Sequence, residues 1–146
     1  MTPGGGPLLS VDWGERRIGL ALCDESQRVA HPLTTLTRRP GKRFPMQPLL
    51  AAVREQGIVG VVVGLPLEAD GSEGPAAAAA RALSVDIARR SALPVELWDE
   101  RMSTARVLRA VREMGGTTRG RKEDVDALAA TLLLQHYLDA RHGTAT

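Results

Sequence analysis

In three places this chain puts a carboxylate where an apolar run stops or starts. Asp12 closes the run at residues 8–11 in LSVDWGERRIG, just ahead of Gly14. Asp99 and Glu100 close PVELWDE, and Asp126 stands in the first turn of the apolar segment EDVDALAATLLL. Carboxylates brought together from distant parts of a chain repel, and gathering them is costly unless a cation neutralises them. A hard divalent ion such as Mg²⁺ or Mn²⁺ does so, taking oxygen from one or two carboxylates, from water and from substrate phosphate. Two such ions about 4 Å apart activate an attacking water and stabilise the leaving oxygen of a phosphodiester. Metal-assisted phosphodiester hydrolysis is the chemistry this arrangement would support. Each acid also has a plainer reading. Asp12 can start a turn, Asp99 can cap a helix near Ser103 and leave Glu100 as the better ligand, and Asp126 can complement its helix dipole as Glu123 and Asp124 would.

The basic residues are clustered although the formal net charge is only +2. Arg38, Arg39, Lys42 and Arg43 crowd one loop, and Arg101, Arg106, Arg109, Arg112, Arg119, Arg121 and Lys122 populate the last third. Such clusters neutralise phosphates, or else they are solvated helix faces and a flexible loop. Aromatic residues make up 3% of the chain, too few for the stacking platform of a single-strand binder. His31, His136 and His142 have no spacing that suggests zinc. Cys23 is the only cysteine, so it forms no internal disulfide, and it reads as a small core residue. No stretch approaches the roughly 20 apolar residues of a membrane span, and no basic segment leads into an apolar one at the N-terminus, so a cytosolic protein is expected.

Strands must carry these acids. Short apolar runs predict strands at 8–11, 18–23 and 29–36, close enough in sequence to pair antiparallel. The rhythm then changes. Residues 46–56 have helical spacing at Leu49, Leu50 and Val53, and Gly57 ends the helix. Residues 58–63 (IVGVVV) are apolar on both sides, as in a central strand covered on both faces. A helix is expected over 75–90 with Ala76, Ala79, Ala80, Leu83 and Ile87 on its buried stripe and Pro75 in its first turn. A strand at 94–98, a helix at 105–114 capped by Ser103, and a final helix at 124–140 complete the order, the last with Val125, Leu128, Ala129, Leu132, Leu133 and Leu138 apolar. This predicts an α/β fold, a mixed five-stranded sheet with helices on both faces, as one domain over 8–140. The flanks, 1–7 and 141–146, lack apolar anchors and are expected to fray. In such sheets ligands bind beyond the carboxyl ends of parallel strands. If the first and last strands run parallel, Asp12 and Glu100 share that edge.

The motifs DWGERRIG, VVVGLPLEADGSEGP, DERMST and VDALAATLLLQHYL, spread over 8–138, resemble the YqgF (RuvX) family. These are bacterial nucleases with an RNase H-like, RuvC-related fold, described as Holliday junction resolvases and as processing the 5′ end of pre-16S ribosomal RNA. The resemblance implies that Asp12, Glu100 and Asp126 are the catalytic, metal-binding acids and that Mg²⁺ or Mn²⁺, as two ions, is required. It also implies a bacterial cytoplasmic setting. Arg101, Ser103 and Thr104 would lie beside the scissile phosphate, and Arg16 and Arg17 could stabilise charge there. The chain departs from the family in two places. Asp124 competes with Asp126 for the third ligand position, and Ala127 stands where relatives often have Ser.

Two other functions fit parts of the sequence. A strand, DxG and a second strand entering at Ile18 and Gly19 also hold ATP phosphate in actin-like and sugar-kinase folds, but those need two domains to close on the nucleotide. A non-catalytic nucleic-acid-binding protein would use the basic clusters alone, and should keep its salt-dependent affinity without Asp12 or metal. A four-way DNA junction, single-stranded DNA and precursor rRNA are all compatible substrates. The chain would act as a monomer or a homodimer, the dimer suiting symmetric cutting of a two-fold junction.

Overall fold

The computed structural model describes residues 2–14, 16–38, 43–102 and 122–143, the side chains of 102 and 122–124 excepted. Its strands are β1 (Leu8–Asp12), β2 (Arg17–Cys23), β3 (Ala30–Thr37), β4 (Gly60–Leu65) and β5 (Val95–Asp99). The helices are α1 (Met46–Glu55), α2 (Pro75–Ser91) and α3 (Lys122–Arg141), with a short 3₁₀ turn at Glu100–Met102 directly after β5. The expected helix at 105–114, with its Ser103 cap, lies outside the described residues.

The five strands form one sheet in the order β3-β2-β1-β4-β5. β1, β2 and β3 pair antiparallel, while β1, β4 and β5 run parallel. The apolar run expected to be central forms the interior strand β4, buried at every residue.

Strand alternation sorts the side chains onto two faces. Leu9, Val11, Ile18, Leu20, Val61, Val63 and Leu65 meet Leu49, Leu50 and Val53 of α1 and Ala77, Ala80, Leu83 and Ile87 of α2. Leu8, Cys23 and Val62 meet Leu134, Tyr137 and Leu138 of α3 on the other face. Leu134 and Leu138 are fully buried, each worth about 1.5–3 kcal/mol of apolar burial. Ser10, on the α3 face, satisfies its buried hydroxyl by donating to the Ala130 carbonyl at 2.8 Å. Burial pushes the Cys23 thiol up, and the sulfur accepts from the Leu8 amide at 3.2 Å, in keeping with a core residue.

Two expectations are corrected. On α2 the buried stripe includes Ala77 and Ser84, while Ala76 is exposed. On α3, Leu128 is 44% exposed, and Ala127, Ala130 and Tyr137 face inward instead. The helix lies so close to the sheet that alanines, not leucines, fill its near side at the N-terminal end. The N-terminal segment lacks apolar anchors but has polar ones. Thr2 is buried, its hydroxyl bonds Tyr137 at 2.7 Å and its carbonyl accepts from Arg141 at 2.6 Å. Gln27 donates to the Pro3 and Gly6 carbonyls at 2.9 Å. Among the described residues no helix is long and apolar enough to cross a membrane.

Candidate active site

Asp12 is the last residue of β1, and its strand partner across the antiparallel ladder is Gly19. Gly19 brings the third acid in. A Cβ at this position would stand 2.0 Å from the Asp126 carbonyl oxygen, so the bare glycine lets the first turn of α3 lie directly on β2. Gly64 does the same for the second acid. Val63 lies abreast of Val11 and Leu65 abreast of Asp99, which puts Gly64 between the ends of β1 and β5. A Cβ on Gly64 would meet Glu100 Oε2 at 2.6 Å and Leu133 at 3.1 Å. Isolated glycines inside strand patterns signal such close approaches, and that signal was available in the sequence.

Asp12, Glu100 and Asp126 are 3%, 4% and 1% exposed. Three buried acids thus come to the carboxyl edge of the parallel strands from three elements. Arg17 at the start of β2 donates through Nε to Asp126 Oδ2 at 2.9 Å, and it is a quarter exposed. Its pairing keeps Asp126 aligned and offsets part of the cost of burying it.

The other sequence-predicted residues divide. Arg16 is exposed at the same edge. Arg101 bonds Asp99 through its backbone amide at 2.9 Å and its guanidinium at 2.9–3.2 Å, and donates to the Glu68 and Ala69 carbonyls in the loop between β4 and α2. Arg101 therefore clamps that loop to the end of β5, and Asp99 serves the clamp. Ser103 and Thr104 lie outside the described residues, as does the side chain of Asp124. Two histidines serve the fold: Trp98 donates to His136 Nδ1 at 2.9 Å, and His142 bonds the Gln27 carbonyl at 2.7 Å. Sequence reasoning missed Trp13 beside Asp12, whose ring carries Arg38 at 5.6 Å.

Among the described residues no three His, Cys, Asp or Glu side chains are gathered closely enough to hold a metal ion as they stand. The donor type nevertheless fits a hard divalent cation: three carboxylates, each more than nine-tenths buried, on one edge and free of soft ligands. Buried like charges on a shared edge are the arrangement that a cation relieves.

The sequence model of the family described as RuvX, Holliday junction resolvase, matches residues 6–140. The chain belongs to the RuvX family. A relative in Paramagnetospirillum magneticum, named "Putative pre-16S rRNA nuclease", is 43% identical over 94% of this chain and 88% of its own length. A second of the same name, in an Anaeromyxobacter species, is 44% identical over 92% of this chain and 97% of its own. Among solved structures, Thermus thermophilus RuvC in complex with a Holliday junction substrate superposes with a TM-score of 0.55, covering 94% of this chain and 96% of RuvC at 17% identity. A second structure of Thermus thermophilus RuvC superposes with a TM-score of 0.54, covering 95% of this chain and 98% of RuvC at 16% identity. These likenesses confirm the RuvC-related, RNase H-like fold expected of a RuvX family member.

Proposed function

We propose that this RuvX family member is a metal-dependent nuclease that hydrolyses phosphodiester bonds in structured nucleic acid and processes the 5′ end of pre-16S rRNA in the bacterial cytoplasm. The observation that supports the reading is the burial of Asp12, Glu100 and Asp126 at the C-terminal end of β1, directly after β5 and at the start of α3. The names of the relatives support the rRNA substrate. The family description supports four-way DNA junctions as a second substrate, for which a homodimer would present two sites and a monomer one.

Asp12, Glu100 and Asp126 would hold Mg²⁺ or Mn²⁺. When bound, two such ions supply a nucleophilic water and neutralise the leaving oxygen. The chain's own residues do the positioning. The Gly19 contact fixes the height of Asp126 above β2, and Arg17 fixes its carboxylate. Gly64 leaves the space in which Glu100 lies, and the Arg101–Asp99 clamp holds the turn that carries Glu100. Exposed Arg16 would meet substrate phosphate, and Ser103 and Thr104 would complete the proposed substrate contacts.

The test is cleavage of labelled pre-16S rRNA 5′ leader, four-way DNA junction and single-stranded DNA with Mg²⁺, Mn²⁺ or EDTA. The expected result is metal-dependent cutting in which the rRNA leader is preferred. Preferred cutting of the junction would move the assignment to recombination. Salt-dependent binding of all three without cutting in any metal would make the protein a binder.

A further inference from the structure

Strand alternation sends Asp12 and Trp13 to opposite faces of the sheet. Asp12 lies on the α3 side, while Trp13 turns to the other and packs against the core of α1 and α2. At the end of β3, Leu36 stands opposite Ile18 on that same face, and Arg38, two residues on, follows it. The Arg38 guanidinium lies over the Trp13 ring, and its amide donates to the Arg16 carbonyl at 2.7 Å. The stacked cation is therefore pinned at both backbone and side chain, over the residue that follows Asp12.

Its charge is not spent in the way its neighbours' charges are. Arg17 is paired with Asp126 and Arg101 with Asp99. Among the described residues Arg38 has no carboxylate partner, and its Nε is a buried donor without an acceptor. Leaving a charged donor unmet is costly, and a phosphate oxygen is the acceptor a guanidinium suits best. Arg16, whose carbonyl accepts from the Arg38 amide, is exposed and adds a second cation to this stretch of chain.

We infer that Arg38, held over Trp13 with Arg16 beside it, is a subsite for a backbone phosphate flanking the scissile one. A polynucleotide strand bound there crosses the edge of the sheet, with the reacting phosphate on the α3 side and the flanking one on the α1 and α2 side. Because the contact is to phosphate, it is indifferent to sequence. The inference rests on the nuclease reading, since it takes the ligand to be a polynucleotide.

The test is binding of a fluorescent rRNA leader in EDTA, where nothing is cut, over a series of salt concentrations. Arg38→Gln is expected to weaken binding several-fold and to lower the slope of log K against log salt by about 0.7–0.9, the loss of one phosphate contact. Arg38→Lys should recover the slope, and Trp13→Phe should keep it. Arg89→Gln, on α2 and paired with Asp86, is the control and should match wild type. An Arg38→Gln protein with wild-type slope and affinity would overturn the subsite and leave the nuclease reading standing. A wild-type protein that binds no polynucleotide in EDTA and cuts none with Mg²⁺ or Mn²⁺ would overturn both.

Discussion

Gly19 and Gly64 make opposite demands at the same site. At Gly19 the nearest atoms to an added methyl are the backbone of Asp126, at 2.0 and 2.5 Å, and a helix cannot yield that far without leaving the sheet. At Gly64 the nearest atom is the end of the Glu100 side chain. Gly19→Ala should therefore cost stability, about 1–3 kcal/mol or more by overpacking. Gly64→Ala should cost little stability and most of the activity, because the group that moves is the carboxylate itself. Denaturant unfolding together with cleavage rates would separate the two. Equal losses of stability would show that Glu100 is wedged as tightly as the backbone of α3. Asp12, the Asp99–Glu100 pair and Asp126 stood out in the sequence as candidate acids because each lies at the boundary of an apolar run, and it was the family resemblance that singled out Glu100 of the pair. Arg17 was legible as a base near the site, but not as the partner of Asp126, because that contact joins residues 109 apart in the chain.

Among the elements, the β2–β3 turn is held by one carboxylate. Asp24 accepts from the Ser26 hydroxyl and from the amides of Arg28 and Val29, and these bonds lower its pKa from 3.8 to about 2. A depressed folded pKa stabilises the fold above the unfolded value and loses that contribution as pH falls through the folded one. The stability difference between wild type and Asp24→Ala should be full at neutral pH and should shrink between about pH 4 and pH 2. A difference that stays constant over that window would mean that the turn does not depend on the carboxylate's charge. The strands and their pairing were readable from short apolar runs and polar turns. The faces of α2 and α3 were read less well, since runs of alanine offer several equivalent stripes. Only contact with the sheet selects Ala77 over Ala76 and turns Leu128 outward.

At the scale of the whole molecule, the site is assembled by topology rather than by any one segment. β1, β4 and β5 must be parallel for Asp12 and Glu100 to share an edge, and α3 must return across β2 to add Asp126. The sequence showed the alternation that demands a mixed sheet, but the parallel register of β1 with β4 and of β4 with β5 came only from the structure. The contacts of the N-terminal segment were hidden for a related reason. Its anchors are Tyr137 and Arg141, at the far end of the chain, and no local pattern announces them. The assembly also carries a cost, because three buried carboxylates on one edge oppose folding unless their charge is met. The most direct measurement is metal-dependent cleavage by wild type and Asp12→Asn, paired with thermal unfolding of both in EDTA. Asp12→Asn is predicted to lose about a hundredfold or more of the cleavage rate while keeping a cooperative unfolding transition in EDTA, since the amide keeps the shape and removes the negative charge that would hold the metal. An Asp12→Asn protein that still cuts at the wild-type rate would show that this edge of the sheet is not the catalytic centre.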